Sequence, residues 1–181
     1  DVALAISTFT IDGIFDSNAA AYGGAVYSFN PFGNFTGIYQ NNRASKDGGA
    51  IYTNRSISYS GRYNRISGEF YANTANEQGS AVCTMNLKHN DIDLYNSIFM
   101  KNHGKSTVYS SGYSYLNVYD SIFVENIGNR VFDTSQLEVV DGRLKAYNNW
   151  FGHTVDNLDK MPSVGPRVLL NDWLYVDVDY G

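Results

Sequence analysis

The sequence contains one cysteine and few prolines, and each shortage narrows the possible architectures. Cys83 is the only cysteine in 181 residues, which excludes an internal disulfide and a metal site built from cysteines. With only 3 prolines, tight turns must be made mainly by Gly, Asn, Asp and Ser. The chain has 15 tyrosines and 17 glycines instead, a mixture that favours many short strands joined by turns.

Charged residues and long apolar runs are also scarce. Charged residues make up 17% of the chain and the net charge is −5, whereas a nucleic-acid-binding protein needs a basic face that neutralises phosphates. No apolar run approaches the roughly 18–20 residues of a membrane-spanning helix. We therefore expect neither nucleic-acid binding nor membrane insertion by this segment.

An internal repeat runs through most of the sequence. In five places an aromatic residue is followed three positions later by asparagine, with steps of 24, 31, 29 and 24 residues between the asparagines. These residues are Asn18, Asn42, Asn73, Asn102 and Asn126. A β-branched residue follows each asparagine in the same phase, within Gly-Gly-Ala-Val-Tyr and Gly-Gly-Ala-Ile-Tyr in the first two copies. Periods of this length without helical periodicity indicate one solenoid coil per repeat.

The repeat predicts an all-β fold, a right-handed single-stranded parallel β-helix of about six coils with a C-terminal extended segment. Leucine-rich repeats have a similar period, but their leucine ladder is missing here, and propeller repeats need a period of about 40 residues. We assign residues 1–152 to the β-helix and residues 153–181 to a closing segment, whose extended strand leads to a possible further domain. One residue of each isoleucine–aromatic pair must face inward, and the pattern leaves open which one.

The repeated asparagines are predicted to be structural. Stacked coils lie about 4.8 Å apart, so equivalent positions form a row of like side chains. An amide both donates and accepts hydrogen bonds, so a buried asparagine row can bond from coil to coil. Asparagine also tolerates the left-handed backbone that a sharp corner needs. The glycine pairs that follow are expected at the next corner.

The combination of Phe-x-x-Asn, Gly-Gly-Ala-Ile/Val-Tyr and Asn148-Asn149-Trp150-Phe151-Gly152 resembles the adhesin-like surface proteins of methanogenic archaea. The repeats of chlamydial polymorphic outer-membrane proteins share the first two elements. The resemblance covers residues 11–178 and implies a β-helix that belongs to a larger cell-surface protein. Two glycosylation sequons, at Asn34 and Asn54, are compatible with an exterior location.

Many β-helices are polysaccharide lyases or hydrolases, which place carboxylates and basic residues at equivalent positions of adjacent coils. Alignment of the repeats brings no two carboxylates into neighbouring positions. Lys101 and Glu125 align as neighbours, where a surface salt bridge is the simpler interpretation. His89, His103 and His153 fall in different coils and phases, so no metal site is expected. We predict no catalytic residue, no cofactor and no metal.

A ligand site is expected in the longest insertion, residues 53–68. Tyr59, Arg62 and Tyr63 lie there together, and such residues are favoured in recognition loops because aromatic side chains provide rigid contact area. A tolerated surface loop is the simpler interpretation of the same residues.

The sequence thus favours a non-catalytic, extracellular adhesion or scaffold module of the cell surface. The expected partner is a cell-surface glycan or protein of another cell, or neighbouring copies of the same chain. A self-assembling structural filament subunit is the alternative. A polysaccharide lyase or hydrolase built on a β-helix is the third candidate.

Overall fold

The computed structural model describes residues 9–29, 33–54, 63–88, 91–113, 116–134, 144–152 and 168–171. Within these residues the chain is all-β, with 20 short strands. The first coil contains β1 (Phe9–Ile11), β2 (Ile14–Asp16), β3 (Ala19–Ala20) and β4 (Val26–Phe29). The second contains β5 (Gly33–Phe35), β6 (Ile38–Gln40), β7 (Arg43–Ala44) and β8 (Ile51–Asn54). The third contains β9 (Tyr63–Ile66), β10 (Glu69–Tyr71), β11 (Thr74–Ala75) and β12 (Val82–Lys88).

Later coils have fewer strands. The fourth contains β13 (Asp91–Tyr95), β14 (Ile98–Met100) and β15 (Ser106–Tyr113). The fifth contains β16 (Leu116–Tyr119), β17 (Ile122–Val124) and β18 (Arg130–Asp133). The last two strands are β19 (Leu144–Tyr147) and β20 (Val168–Asn171).

Equivalent strands of successive coils pair in parallel and form four sheets along the solenoid. Sheet A has the order β1-β5-β9-β13-β16-β19-β20, and sheet B has the order β2-β6-β10-β14-β17. Sheet C is β3-β7-β11, and sheet D is β4-β8-β12-β15-β18. The predicted all-β parallel helix is therefore confirmed. Part of the predicted closing segment, β20, pairs with β19 and so extends sheet A.

The number of turns is slightly lower than predicted. The 5 strands of sheet B mark the same point in successive coils, so they enclose four complete turns rather than six coils. Beyond them, β19 and β20 continue sheet A, and sheet B gains only an isolated bridge between Ile122 and Trp150. The sixth repeat is therefore incomplete within the described residues.

The aromatic residue of each repeat faces inward. Five rings stack along the axis with centroids 4.6–4.9 Å apart, close to the spacing of the coils. They belong to Phe15, Tyr39, Phe70, Phe99 and Phe123. The isoleucine before the ring faces outward, so Ile14 is 71% exposed and Ile98 is 37% exposed. A flat ring fills one coil of the core without a gap, and this is the physical reason for its repetition.

The five repeated asparagines form a continuous ladder beside the aromatic stack. In the first four coils, the side-chain amide donates to the Oδ1 of the asparagine in the next coil, at 2.9–3.0 Å. From the second coil onward, the same nitrogen also donates to the backbone carbonyl of the aromatic residue one coil earlier, at 2.8–2.9 Å. The ladder therefore satisfies backbone groups that the sharp corner leaves without strand partners.

The left-handed backbone of this corner lies one residue earlier than expected. The residue before each ladder asparagine has a φ between 51° and 57°. These residues are Ser17, Asn41, Ala72, Lys101 and Glu125. The ladder asparagine follows this left-handed residue, and its side chain points inward along the stack. The expectation that the ladder residues are left-handed was wrong.

A second, shorter ladder stabilises the opposite end of sheet B, and the repeat alignment did not find it. The Gly68 backbone N–H donates to Ser97 Oγ at 3.2 Å, and the Ser97 N–H donates to Ser121 Oγ at 3.1 Å. The Ser121 N–H then donates to Asn149 Oδ1 at 3.0 Å. Asn148, which has a φ of 53°, makes the turn before Asn149. This geometry explains why two asparagines precede Trp150.

The glycine pairs stand at the corner before sheet D. Gly48 has a φ of +69°, a conformation that L side chains rarely adopt. A Cβ on Gly49 would lie 2.0 Å from the backbone oxygen of Ser80 in the next coil. The first glycine therefore permits the turn, and the second permits close approach of two coils.

The ladder predicts how stability depends on asparagine position. Substitution Asn102→Ala should lower the free energy of unfolding by about 1–3 kcal/mol, because it leaves buried partners on Asn73 and Phe70 without their hydrogen bonds. Asn18→Ala, at the exposed end of the ladder, should cost under about 1 kcal/mol. Urea unfolding of both variants measures the difference, and equal losses would contradict a buried ladder.

Candidate functional site

The residues predicted to bind a ligand are only partly covered by the described structure. Tyr59 and Arg62 lie outside the described residues, whereas Tyr63 begins β9 and pairs with Asp91. Because β8 ends at Asn54 and β9 begins at Tyr63, the insertion between described strands is residues 55–62 rather than 53–68. The structure therefore assigns Tyr63 to the solenoid wall.

The two sequon asparagines are also placed on the wall of the solenoid. Asn34 is exposed in the middle of β5, with Thr10 and Arg65 as its neighbours in sheet A. Asn54 is the last residue of β8 and is half-buried. Of the two side chains, that of Asn34 is the more accessible for modification.

The outer side of sheet B carries an exposed, mostly apolar surface, which we call the isoleucine face. Its residues form two outward rows, and all ten side chains are at least partly exposed. The first row is Ile14, Ile38, Glu69, Ile98 and Ile122, and the second is Asp16, Gln40, Tyr71, Met100 and Val124. The core does not use these side chains, since Phe70 and its equivalents fill the interior. Exposed apolar patches of this kind are typical of interaction surfaces.

The middle of the isoleucine face contains a recess of 260 Å³ around Glu69. The rim includes a cation, because Lys101 Nζ lies 5.9 Å from the centre of the Tyr71 ring. Lys101 also forms an ion pair with Glu125 at 3.6 Å, as the repeat alignment had indicated. Both side chains of that pair are at least half exposed, so the pair adds little stability.

A second concave surface lies where sheet C ends, and we call it the sheet C groove. Three successive coils each contribute three residues to this groove of 570 Å³. They are Thr74, Ala75 and Asn76, then His103, Gly104 and Lys105, then Ile127, Gly128 and Asn129. Ala75 of the third coil is followed by Gly104 and Gly128 at the equivalent positions of the next two coils, and the missing side chains leave room for the groove. The polar groups that line it are the imidazole of His103, the ammonium group of Lys105 and the amides of Asn76 and Asn129.

The groove results from the shortening of the coils along the chain. Thr74 belongs to β11, the last strand of sheet C, whereas His103 and Ile127 form only isolated bridges. Fewer residues separate the aromatic from the β-branched position in these later coils, so the corner of the third coil overhangs the fourth. The taper that this shortening produces, rather than any sequence motif, creates the concave shape.

Next to the groove, the structure brings together charged residues that the repeat alignment kept apart. The pKa of Asp47 is raised above its ordinary value, mainly by burial. The negative charge of Glu77 in the next coil raises the pKa of Asp47 further. The Gln78 backbone N–H donates to Asp47 at 2.9 Å and, with Lys105 and Lys46, opposes the rise. The alignment missed this proximity because Glu77 stacks on Lys46, one residue from Asp47. Asp47 also ties two corner loops together.

Cys83 lies in a small cluster on the outer side of sheet D. It packs with Tyr52 and Tyr109, and all three side chains are buried. Burial raises the pKa of the Cys83 thiol well above its ordinary value and raises the pKa of Tyr109 to about 12. A thiol that stays protonated is a poor nucleophile and metal ligand, so Cys83 acts here as a packing residue.

In the part of the chain that the structure describes, no three His, Cys, Asp or Glu side chains come together in a way that could hold a metal ion. Across the same residues, no helix has the length and apolar character needed to cross a membrane.

The environment of Asp47 predicts a pH-dependent effect on stability. Because its folded-state pKa is raised above the ordinary 3.8, ionisation of Asp47 opposes folding as the pH rises through and beyond that value. Asp47→Asn keeps an acceptor for the Gln78 N–H and removes the charge. We expect the variant to be at least as stable as the wild type near about pH 7 and equal to it near about pH 3. Denaturant unfolding at both values checks this, and a less stable variant at neutral pH would contradict it.

Comparison with known proteins identifies one repeat of the chain. Residues 40–54 match the family model of the Chlamydia polymorphic membrane protein repeat. The matched stretch contains the ladder residue Asn42, the corner glycines Gly48 and Gly49, and strands β7 and β8, so it covers two corners and two strands of the second coil. No curated protein and no solved structure matches the chain.

Proposed function

We propose that this chain is a non-catalytic adhesion module of the cell surface, similar to the adhesin-like proteins that its sequence resembles. The match of residues 40–54 to a repeat of a membrane-protein family supports a surface location. A stack of coils held by two hydrogen-bond ladders is a stiff support for contact surfaces, since each coil is fixed by its neighbours. The proposed role is to present such a surface to another cell or protein.

The isoleucine face is the observation that carries this proposal. It offers exposed apolar side chains from five successive coils on a nearly regular sheet, where the fold itself does not require them. Tyr71 is 40% exposed at the centre of this surface, and aromatic side chains are prominent in protein interfaces. A surface of exposed apolar side chains with a few charged ones among them is typical of a protein-binding site.

The proposal that the module is non-catalytic rests on the roles of its acidic residues. Asp47 accepts a corner hydrogen bond, and the exposed Glu125 pairs with Lys101. Asp16 likewise accepts hydrogen bonds from Asn41, Ser17 and Gln40, which lower its pKa, with the bond from Asn41 contributing most. These carboxylates already have structural partners, whereas a general acid needs a proton at neutral pH and access to a substrate bond.

Adhesion through the isoleucine face is tested with two exposed isoleucines. Protein immobilised on beads should bind cells, and Ile98→Gln should reduce the number of bound beads by about tenfold because it places an amide in the apolar contact. Ile127→Gln is the matched control, since Ile127 is 62% exposed but lies in the sheet C groove. If the two variants bound cells equally well, the isoleucine face would not be the adhesion surface.

Absence of catalysis is tested on polysaccharides. Polygalacturonate and neutral glycans incubated with the protein should keep their chain length, with or without added calcium, as measured by size-exclusion chromatography. Cleavage that disappears in Asp47→Asn would contradict the proposal and would favour the lyase or hydrolase alternative.

A self-assembling subunit is the second candidate, and one observation favours it. β2, β3 and β4 each lie at the end of their sheet, so they have strand partners on one side only among the described residues. Within the same residues, the Oδ1 of Asn18 accepts no hydrogen bond, although every later ladder oxygen does. A coil of a second copy would continue both patterns.

Assembly at this edge is measured by light scattering over a range of concentrations. Tyr27 and Phe29 in β4 are 53% and 56% exposed, and their joint replacement by lysine should abolish any oligomer. Tyr71→Lys, on the isoleucine face, is the control and should leave the oligomer intact. A wild-type protein that remains monomeric at high concentration would exclude this candidate.

A further inference from the structure

Glu69 interrupts the isoleucine row of the isoleucine face. The equivalent residue is isoleucine in the other four coils of sheet B, and Glu69 pairs in register with Ile38 on one side and Ile98 on the other. Glutamate is less suited to a strand than isoleucine, and an apolar neighbour on each side offers its carboxylate no partner. The substitution therefore has no evident benefit for the sheet.

Among the described residues, the carboxylate of Glu69 also has no ion-pair or hydrogen-bond partner. The described residues form two ion pairs, and neither contains Glu69. The nearest cation on this face, Lys101, pairs with Glu125 instead. No side-chain hydrogen bond of Glu69 occurs in the described part of the chain, and the residue is exposed. Within this part of the chain, Glu69 is thus an unpaired carboxylate with an isoleucine on each side, Ile38 and Ile98.

The recess around Glu69 has walls that suit a long basic side chain. Ile38, Ile98 and Met100 provide apolar walls on both sides of the carboxylate. A lysine or arginine has an apolar stem that packs on such walls while its charged end reaches an acid. Tyr71 adds an aromatic ring to the same recess, and aromatic rings attract cations.

We propose that this recess binds a basic side chain, preferably arginine, of a partner protein that docks on the isoleucine face. Arginine fits best because its planar guanidinium can pair with the carboxylate through two hydrogen bonds and stack on the tyrosine ring. This inference rests on the proposed function, since the partner occupies the same surface. It adds that the partner carries an arginine flanked by apolar residues.

The charge of the face argues against a second copy as the occupant. Asp16, Glu69 and Glu125 are acidic, and Lys101 is the single basic residue beside them on this face of the described chain. Two identical faces in contact would bring like charges together, which opposes association. The occupant is therefore a different protein whose contact surface is basic at its centre.

The recess can be tested with a small peptide probe. The probe is N-acetyl-Leu-Arg-Leu-amide, added to the full 181-residue chain with isotope-labelled methyl groups and followed by NMR. We expect saturable shifts of the methyl groups of Ile38, Ile98 and Met100. The same peptide with citrulline in place of arginine has nearly the same shape without the charge, and it should bind at least about tenfold more weakly.

Two variants separate a specific pocket from general attraction to a negative surface. Glu69→Gln should weaken binding of the arginine peptide by at least about tenfold, whereas Asp16→Asn, two coils away on the same face, should change it by less than about twofold. Glu69→Ile should fold with unchanged or higher thermal stability and should not bind. The proposal would be overturned if Glu69→Gln and Asp16→Asn weakened binding equally. It would also be overturned if the citrulline peptide bound as well as the arginine peptide, or if the arginine peptide caused no saturable shift.

The outcome is distinguishable from that of the adhesion test. If the arginine peptide fails to bind but Ile98→Gln still reduces cell binding, the basic anchor is wrong and the adhesion proposal stands. If the peptide binds Glu69 as expected but beads never bind cells, the recess is confirmed and the adhesion proposal fails.

Discussion

Every coil of this protein must satisfy its backbone hydrogen bonds through the coils above and below it, and this constraint organises the rest of the structure. Along the strands the sheets provide those bonds. At the corners, where the backbone turns, side chains supply some of these bonds, and the ladder through Asn42, Asn73 and Asn102 is the clearest case. Each asparagine side chain must lie within hydrogen-bonding distance of the next one, so the distance between successive coils is fixed at this corner. The stacked aromatic rings have the same spacing.

The constraint acts mainly on inward-facing positions and leaves the outer faces free to vary. Phe70 and Phe99 must be flat and apolar because they stack 4.7 Å apart, whereas the adjacent Glu69 and Ile98 differ without disturbing the core. Residues that could recognise a partner are therefore to be found among the outward-facing side chains, at positions where the residue type differs between coils. The exposed apolar surface of sheet B and the interruption at Glu69 are such changes.

The candidate surfaces differ in how far they could be predicted. The break at Glu69 is visible in the aligned repeats, but its meaning depends on knowing that the isoleucine faces outward, and alternation alone cannot distinguish the two faces. The sheet C groove requires knowledge of how a shortened coil stacks under a longer one. The proximity of Asp47 to Glu77 was missed because the loops shift by one residue at this corner, and an alignment of fixed columns cannot represent that shift.

The sequence by itself determined the all-β parallel solenoid, the phase of its coils and the identity of the asparagine ladder, because a repeated unit must make the same contacts in every copy. The tertiary structure decided what repetition leaves open. It set which residue of each isoleucine–aromatic pair is buried, which residue takes the left-handed backbone, and how many turns are complete. It also decided that a serine–asparagine ladder closes the far corner, since Asn149 occupies there the position that serine holds at Ser97 and Ser121. Those properties depend on packing between coils, which is a feature of three-dimensional contact and not of the repeat pattern.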